Sequence, residues 1–226
     1  MVSKEILSDE KAILALDQSG SFKDELAFCE NFKKAIKNAK AFELPNKVKV
    51  GDRIIRYSDV ENIVFAGMGG SAIAGDVIKD WSEKEIRVPM EAVRGYHLPA
   101  YVNEGTLVFL ISYSGNTEET LSCMLEAAQR GCKIISISSN GALARTTQTL
   151  GLPLIGLPKM AAARVSFPYL VAPLPYLLAK LNILSFDKVE KEMREATEMV
   201  DELTKEYEIK VPFEKNFTKK AAFQIF

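Results

Sequence analysis

The sequence predicts an α/β domain built on a five-stranded parallel sheet with helices on both faces. Three observations carry this. Short apolar runs of five or six residues alternate with stretches of helical spacing. The junctions from run to helix are rich in glycine and hydroxyls, as in Gly67-Met68-Gly69-Gly70-Ser71 and Ser112-Tyr113-Ser114-Gly115-Asn116-Thr117. The runs are continuously apolar, as strands buried on both faces are. The common five-strand order of such sheets is 2-1-3-4-5, in which strands 1 and 3 are neighbours and the ligand crevice lies between them.

Length and composition bound the reading. The chain has 226 residues, enough for one large domain or one domain with appendages, and is 47% hydrophobic and 26% charged. With 29 Lys plus Arg against 30 Asp plus Glu, no global field attracts nucleic acid or an anionic membrane. Cys29, Cys123 and Cys132 have no metal or redox spacing and predict reduced thiols, hence a cytoplasmic protein. Met1–Lys11 is too charged for a secretory signal.

Residues 9–40 read as helical, with Phe22, Leu26, Cys29 and Ile36 near the helical period, and Pro45 ends this layer. No basic recognition segment supports a DNA-binding helix pair. Lys47–Asp59 is mixed and charged. The strands follow at Asn62–Ala66, Val88–Val93, Leu107–Ile111, Lys133–Ile137 and Leu152–Leu157. A helix over Ala72–Trp81 turns Ile73, Val77, Ile78 and Trp81 to a core, and one over Thr117–Arg130 places Leu121, Leu125 and Ala128 on a stripe. Ser138-Ser139-Asn140-Gly141 is a third polar junction. Residues 164–184 are the most apolar, but Pro168, Pro173 and Pro175 interrupt them, so a buried or interface helix is expected. Val189, Met193, Ala196, Val200, Leu203 and Tyr207 form a stripe of under three heptads. It favours packing on the chain's own domain over a self-associating coil. Val211-Pro212 punctuates a fresh start, and the apolar Phe223, Ile225 and Phe226 read as an interrupted helix. The expected divisions are a helical segment 1–45, the α/β domain 46–184, an amphipathic linker helix 185–210, and 211–226 as the start of a second domain. The exposed apolar end predicts a homodimer or instability.

Two readings compete for residues 112–117. Thr117 or Asn116 is an N-cap and nothing more, or the loop is a phosphate cradle using free N–H groups, the helix dipole and uncharged hydroxyl donors. The 67–71 loop follows the neighbouring strand in the common order, and that favours the cradle. Gly67-x-Gly-x-x-Ala72 also fits a loose dinucleotide fingerprint, with Glu91 downstream, but leaves the second loop unexplained. No Walker lysine motif is present.

Together, Gly-Met-Gly-Gly-Ser-Ala-Ile-Ala-Gly-Asp (67–76), Ser-Tyr-Ser-Gly-Asn-Thr-Glu-Glu-Thr (112–120) and Ser-Ser-Asn-Gly-Ala-Leu-Ala (138–144) resemble the sugar isomerase (SIS) domain, a flavodoxin-like fold. Pro158-Lys159-Met160 with Arg164, the proline-rich helix, and Val211-Pro212-Phe213-Glu214-Lys215-Asn216 narrow the resemblance to the N-terminal half of the bifunctional phosphoglucose/phosphomannose isomerases. The resemblance implies interconversion of glucose or mannose 6-phosphate with fructose 6-phosphate through a cis-enediol, with no metal or other cofactor. It implies that Gly69, Gly70, Ser71, Ser112, Ser114 and Thr117 hold the phosphate and that Arg164 stabilises the enediolate. A helix-start salt bridge is the plainer role for Arg164. The family's catalytic Glu and ring-opening His lie in a later part that this chain does not reach. His97 does not match that His and reads as structural. Glu118 and Glu119 read as dipole partners rather than bases. The implied partner is a small sugar phosphate, with no nucleic acid and no membrane. The competing expectation is a non-catalytic SIS domain that senses sugar phosphate.

Overall fold

The computed structural model describes residues 4–225; Phe226 of the expected apolar end, and residues 1–3 of the expected first segment, lie outside them. Four helices lead: α1 (Lys4–Ser8), α2 (Glu10–Leu16), α3 (Ser21–Leu26) and α4 (Phe28–Ala41). The helical layer read over 9–40 is thus present as three successive helices, α2 to α4. Asp9 caps α2 through the Lys11 and Ala12 N–H groups, and Gly20 turns the chain into α3.

Next come β1 (Lys47–Val50) and β2 (Arg53–Arg56), an antiparallel hairpin turning at Gly51-Asp52. The charged residues of this region alternate with Val48, Val50 and Ile55, a half-buried strand pattern that the sequence reading passed over. The sheet follows: β3 (Asn62–Gly67), α5 (Gly70–Ser82), β4 (Met90–Val93), β5 (Thr106–Ser112), α6 (Glu118–Gln129), β6 (Lys133–Ser138), α7 (Gly141–Thr149) and β7 (Leu154–Gly156). The order is β4-β3-β5-β6-β7, all parallel, which is the predicted 2-1-3-4-5.

Alternation along each strand builds two cores. Ile63, Phe65, Leu107, Phe109, Ile111, Ile135 and Ile137 face α4, α5 and three later helices: α8 (Phe167–Val171), α9 (Pro173–Lys180) and α10 (Phe186–Tyr207). Phe65 and Phe109 stack there with centroids 5.2 Å apart. Val64, Ala66, Val108, Leu110 and Ile134 face α6, α7 and the hairpin. Two helix faces differ from expectation. Ile73 and Val77 are exposed, because α5 lays its small residues, Ala74 and Gly75, against Phe65. Leu125 is exposed as well, since α6 turns Cys123, Met124 and Ala127 inward. The rest of each stripe packs as read: Ile78 is buried, and Trp81, Leu121 and Ala128 lie against the cores.

The proline-rich segment is buried as expected, divided into α8 and α9 at Pro173. Among the described residues no helix is long and apolar enough to cross a membrane. Val189 and Met193 of α10 are buried with α4 and α9. Lys40 pairs with Glu190 at 2.6 Å, and the Trp81 indole donates to Glu192 at 2.6 Å. The stripe opens further along, where Leu203 is exposed. A last helix, α11 (Phe217–Ile225), starts at Asn216, whose amide donates to the Tyr207 and Glu208 carbonyls and whose Oδ1 takes the Lys219 N–H. Cys29, Cys123 and Cys132 are free and buried, and burial pushes the Cys123 and Cys132 thiols up to about 11.

Tyr57 joins the hairpin to the sheet. It is 2% exposed, and its hydroxyl donates to the Ile134 carbonyl at 2.7 Å. Tyr57→Phe strands that carbonyl and should cost about 1–3 kcal/mol in urea unfolding. A loss within experimental error would mean the hydroxyl contributes nothing.

Candidate functional site

The strand ends define the site. Gly67 of β3 lies beside Ile111 of β5, and Ser112 beside Ser138 of β6, so three strand-to-helix loops leave one edge of the sheet together. They do different things.

The first loop leaves room. Gly69 and Gly70 are exposed, and a side chain built on either would meet nothing within 4 Å. The Ser71 and Ala72 N–H groups turn back to the Met68 and Gly69 carbonyls, and no side chain caps α5. A ligand can therefore approach this backbone directly, at the positive end of a 13-residue helix.

The second loop excludes the simple cap reading. Thr117 occupies the N-cap position of α6 but makes no side-chain bond to it. Its hydroxyl meets the Ser112 hydroxyl at 3.0 Å instead. Asn116 serves another helix: its Oδ1 accepts the Ala142 N–H at 2.9 Å, at the start of α7. Ser112 is buried, and its hydroxyl also accepts the Gly115 N–H at 3.1 Å. Ser114 is exposed and accepts the Asn116 N–H at 3.2 Å. The Thr120 hydroxyl, in the first turn of α6, is buried without a partner.

The third loop is a buttress. Gly115 (φ +67°) and Gly141 (φ +80°) pack backbone on backbone. A Cβ on Gly115 would lie 1.7 Å from the Asn140 carbonyl oxygen, and one on Gly141 would lie 2.4 Å from that of Ser114. Leu143 N–H donates to the Gly115 carbonyl at 2.8 Å, and Ser139 donates to the Tyr113 carbonyl through both N–H and hydroxyl. The start of α7 is thereby occupied, while those of α5 and α6 have no side-chain cap.

Arg164 lies in a short 3-10 helix, Ala163–Ser166. It is exposed and forms no ion pair among the described residues. The Tyr113 phenol ties its segment to the second loop, donating to the Met160 carbonyl at 3.0 Å and accepting the Met160 N–H at 2.7 Å. The sequence reading missed Tyr113, since nothing in a one-residue gap between serines announces a partner 47 residues away.

The other polar candidates lie aside. Glu118 is exposed and meets the Tyr96 hydroxyl at 3.3 Å. His97 binds Glu126 at 2.7 Å, eight residues and roughly 12 Å down α6 from Glu118. Bonds from His97 and the Leu98 N–H, with Arg130 beside them, hold the Glu126 carboxyl below its usual range, which fits a clamp on the loop after β4. A large cleft, about 1090 Å³, is elsewhere, lined by residues such as Phe42, Lys47, Tyr57 and Lys180. Chemistry and geometry favour the loop edge over that larger hollow: no helix in the cleft presents an uncapped N-terminus with hydroxyls beside it.

Comparison with known proteins shows what the chain is similar to. The SIS domain family matches residues 56–162, so that stretch is similar to a SIS domain. Within that class, the chain is 34% identical over 186 residues to the bifunctional phosphoglucose/phosphomannose isomerase of Caldicellulosiruptor bescii, covering 82% of this chain and 53% of that one. It is 38% identical over 123 residues to the D-glucosamine-6-phosphate 4-epimerase of Sulfolobus acidocaldarius, covering 54% and 38%. The C-terminal domain of glucosamine-fructose-6-phosphate aminotransferase from Francisella tularensis shares the fold, with a TM-score of 0.56 at 20% identity, covering 83% of this chain and 54% of that one. The resemblance read from the motifs is borne out. The chain spans about half the length of the first of these relatives or less of the second.

The capping assignments are testable by stability. Asn116→Ala removes the α7 cap and should cost about 1 kcal/mol, whereas Thr117→Ala, which caps nothing, should cost less than half of that. Equal losses in urea titrations would restore Thr117 as the cap.

Proposed function

We propose that this chain supplies the phosphate site and the enediolate-stabilising cation of a sugar-phosphate aldose–ketose isomerase acting on glucose or mannose 6-phosphate and fructose 6-phosphate. One observation carries the reading: two neighbouring helices, α5 and α6, start at the same sheet edge without side-chain caps, beside Ser71, Ser114 and Thr117. A phosphate dianion placed there takes neutral donors and two helix dipoles, with no buried counter-charge needed.

In this reading the Gly69 and Gly70 backbone, with the Ser71 hydroxyl, takes one side of the phosphate. The Ser114 and Thr117 hydroxyls take the other. Ser112 acts from beneath, its hydroxyl bonded to Thr117 and Gly115, and fixes the direction in which Thr117 donates. Anchoring the phosphate fixes C1 and C2 of the sugar, which gives the proton transfer its orientation. Arg164 then meets the oxygens as the cis-enediolate charge develops; a cation already in place stabilises that charge without reorganising. The proton itself moves between C1 and C2 on a carboxylate, and ring opening needs an acid. Glu118 and Glu119 lie in the first turn of α6, Glu118 against the Tyr96 hydroxyl, and His97 is engaged with Glu126, so neither role is assigned to them. Both roles are assigned to the further length that the relatives have.

The 4-epimerase relative bears on which carbon reacts rather than on where the phosphate sits, since both relatives' names specify a phosphorylated hexose. The same geometry serves a sensor that binds sugar phosphate without converting it. Turnover by a protein of the relatives' full length separates enzyme from sensor.

Calorimetry tests the site. The chain should bind fructose 6-phosphate but not fructose, and Ser114→Ala should weaken binding about tenfold, roughly 1.4 kcal/mol. Equal affinity for fructose would contradict a phosphate site.

A further inference from the structure

We propose that Tyr113 and Asp24 are positioning residues that hold the Arg164 segment against the phosphate loop; this rests on the site reading above. They grip two successive peptide groups from opposite directions. The Tyr113 hydroxyl, reaching from between the two loop serines, donates to the carbonyl of Met160 and accepts its N–H. The Asp24 carboxylate, on α3, accepts the next N–H, that of Ala161, at 2.8 Å. Arg164 follows three residues later.

Each grip has its own support. The Tyr113 ring packs against the core with Met160, and its carbonyl is held separately by Ser139. Removing the phenol oxygen therefore frees Met160 without releasing the phosphate loop. α3 is fixed at its start by Asp17, whose two oxygens accept the Ser21 and Phe22 N–H groups at 3.2 and 2.8 Å. Past Arg164, Ser166 is fully buried and its hydroxyl returns to the Ala163 carbonyl at 2.6 Å. The segment is thus pinned on both sides of an arginine that has no ion pair among the described residues. An exposed, flexible cation must otherwise be ordered by each ligand that it meets, at a cost in side-chain and loop entropy. The clamp meets the loop part of that cost during folding. It also couples the leading helical layer, through α3, to the cation of the site.

The test separates the cation from the cradle with two probes. Inorganic phosphate reads the cradle alone. 5-Phospho-D-arabinonate adds a carboxylate where the enediolate oxygens would develop, and so reads Arg164 too. Tyr113→Phe should weaken the arabinonate about tenfold and change phosphate less than about twofold. Combined with Arg164→Gln, it should add no more than about twofold to the loss from Arg164→Gln alone, because both changes act through one guanidinium. Asp24→Ala should behave as Tyr113→Phe does. Asp24→Asn keeps an acceptor for Ala161 and should restore wild-type affinity. Retained phosphate binding certifies that each variant is folded. Full additivity, an equal loss of both ligands, or no change in either would overturn the clamp. Failure of the wild-type chain to bind either probe would overturn the site reading, and the clamp with it.

Discussion

The site depends on a contact between two backbones. The loop after β5 is held by the loop after β6, through the mutual fit of Gly115 and Gly141 and the bonds from Ser139, Ala142 and Leu143. A side chain at either glycine would occupy the other strand's loop, and both glycines sit at positive φ where other residues are strained. Because this contact satisfies the loop from the side, the loop does not need to satisfy itself from the helix that it introduces. The start of α6 is thereby kept without a side-chain cap, and the same is true of α5, where Gly69 stands at the cap. The third helix is spent on holding the second.

This division explains why the proposed phosphate surface is a ledge and not a cavity. Parallel strands deliver their helices to one edge, and the dipoles of α5 and α6 converge there by topology. Anion recognition of this kind needs directed N–H groups and hydroxyls more than enclosure. The large cleft between Phe42, Tyr57 and Lys180 opens between the segment that precedes β3 and the end of α9, where no such convergence exists.

Much of the fold was legible in the sequence. Apolar run length located all five sheet strands, with ends differing by a residue or two, as at β4 and β7. The glycine and hydroxyl junctions placed Gly69, Gly70, Ser71, Ser114 and Thr117 at the strand-to-helix edge, because a strand's length and the following helix fix where a junction falls. Helix faces were less legible: Ala74 and Gly75 pack where Ile73 and Val77 were expected, since closeness to Phe65 outweighs side-chain size. Partnerships across the chain were not legible. Asn116 caps a helix 26 residues on, and Tyr113 binds Met160 across 47. Local patterns encode neither, because each partner is brought close only by the sheet order. The charged hairpin at 47–56 carried a usable signal, the alternation around Gly51-Asp52, that its charge obscured.

The central claim is that ligand phosphate meets the edge formed by the first two loops. Amide NMR shifts during a titration with fructose 6-phosphate measure it most directly. The account predicts that the largest changes fall on Gly69, Gly70, Ser71, Ser114 and Thr117, with smaller ones near Arg164. Changes concentrated at Phe42, Lys47, Tyr57 and Lys180, around the large cleft, would contradict it.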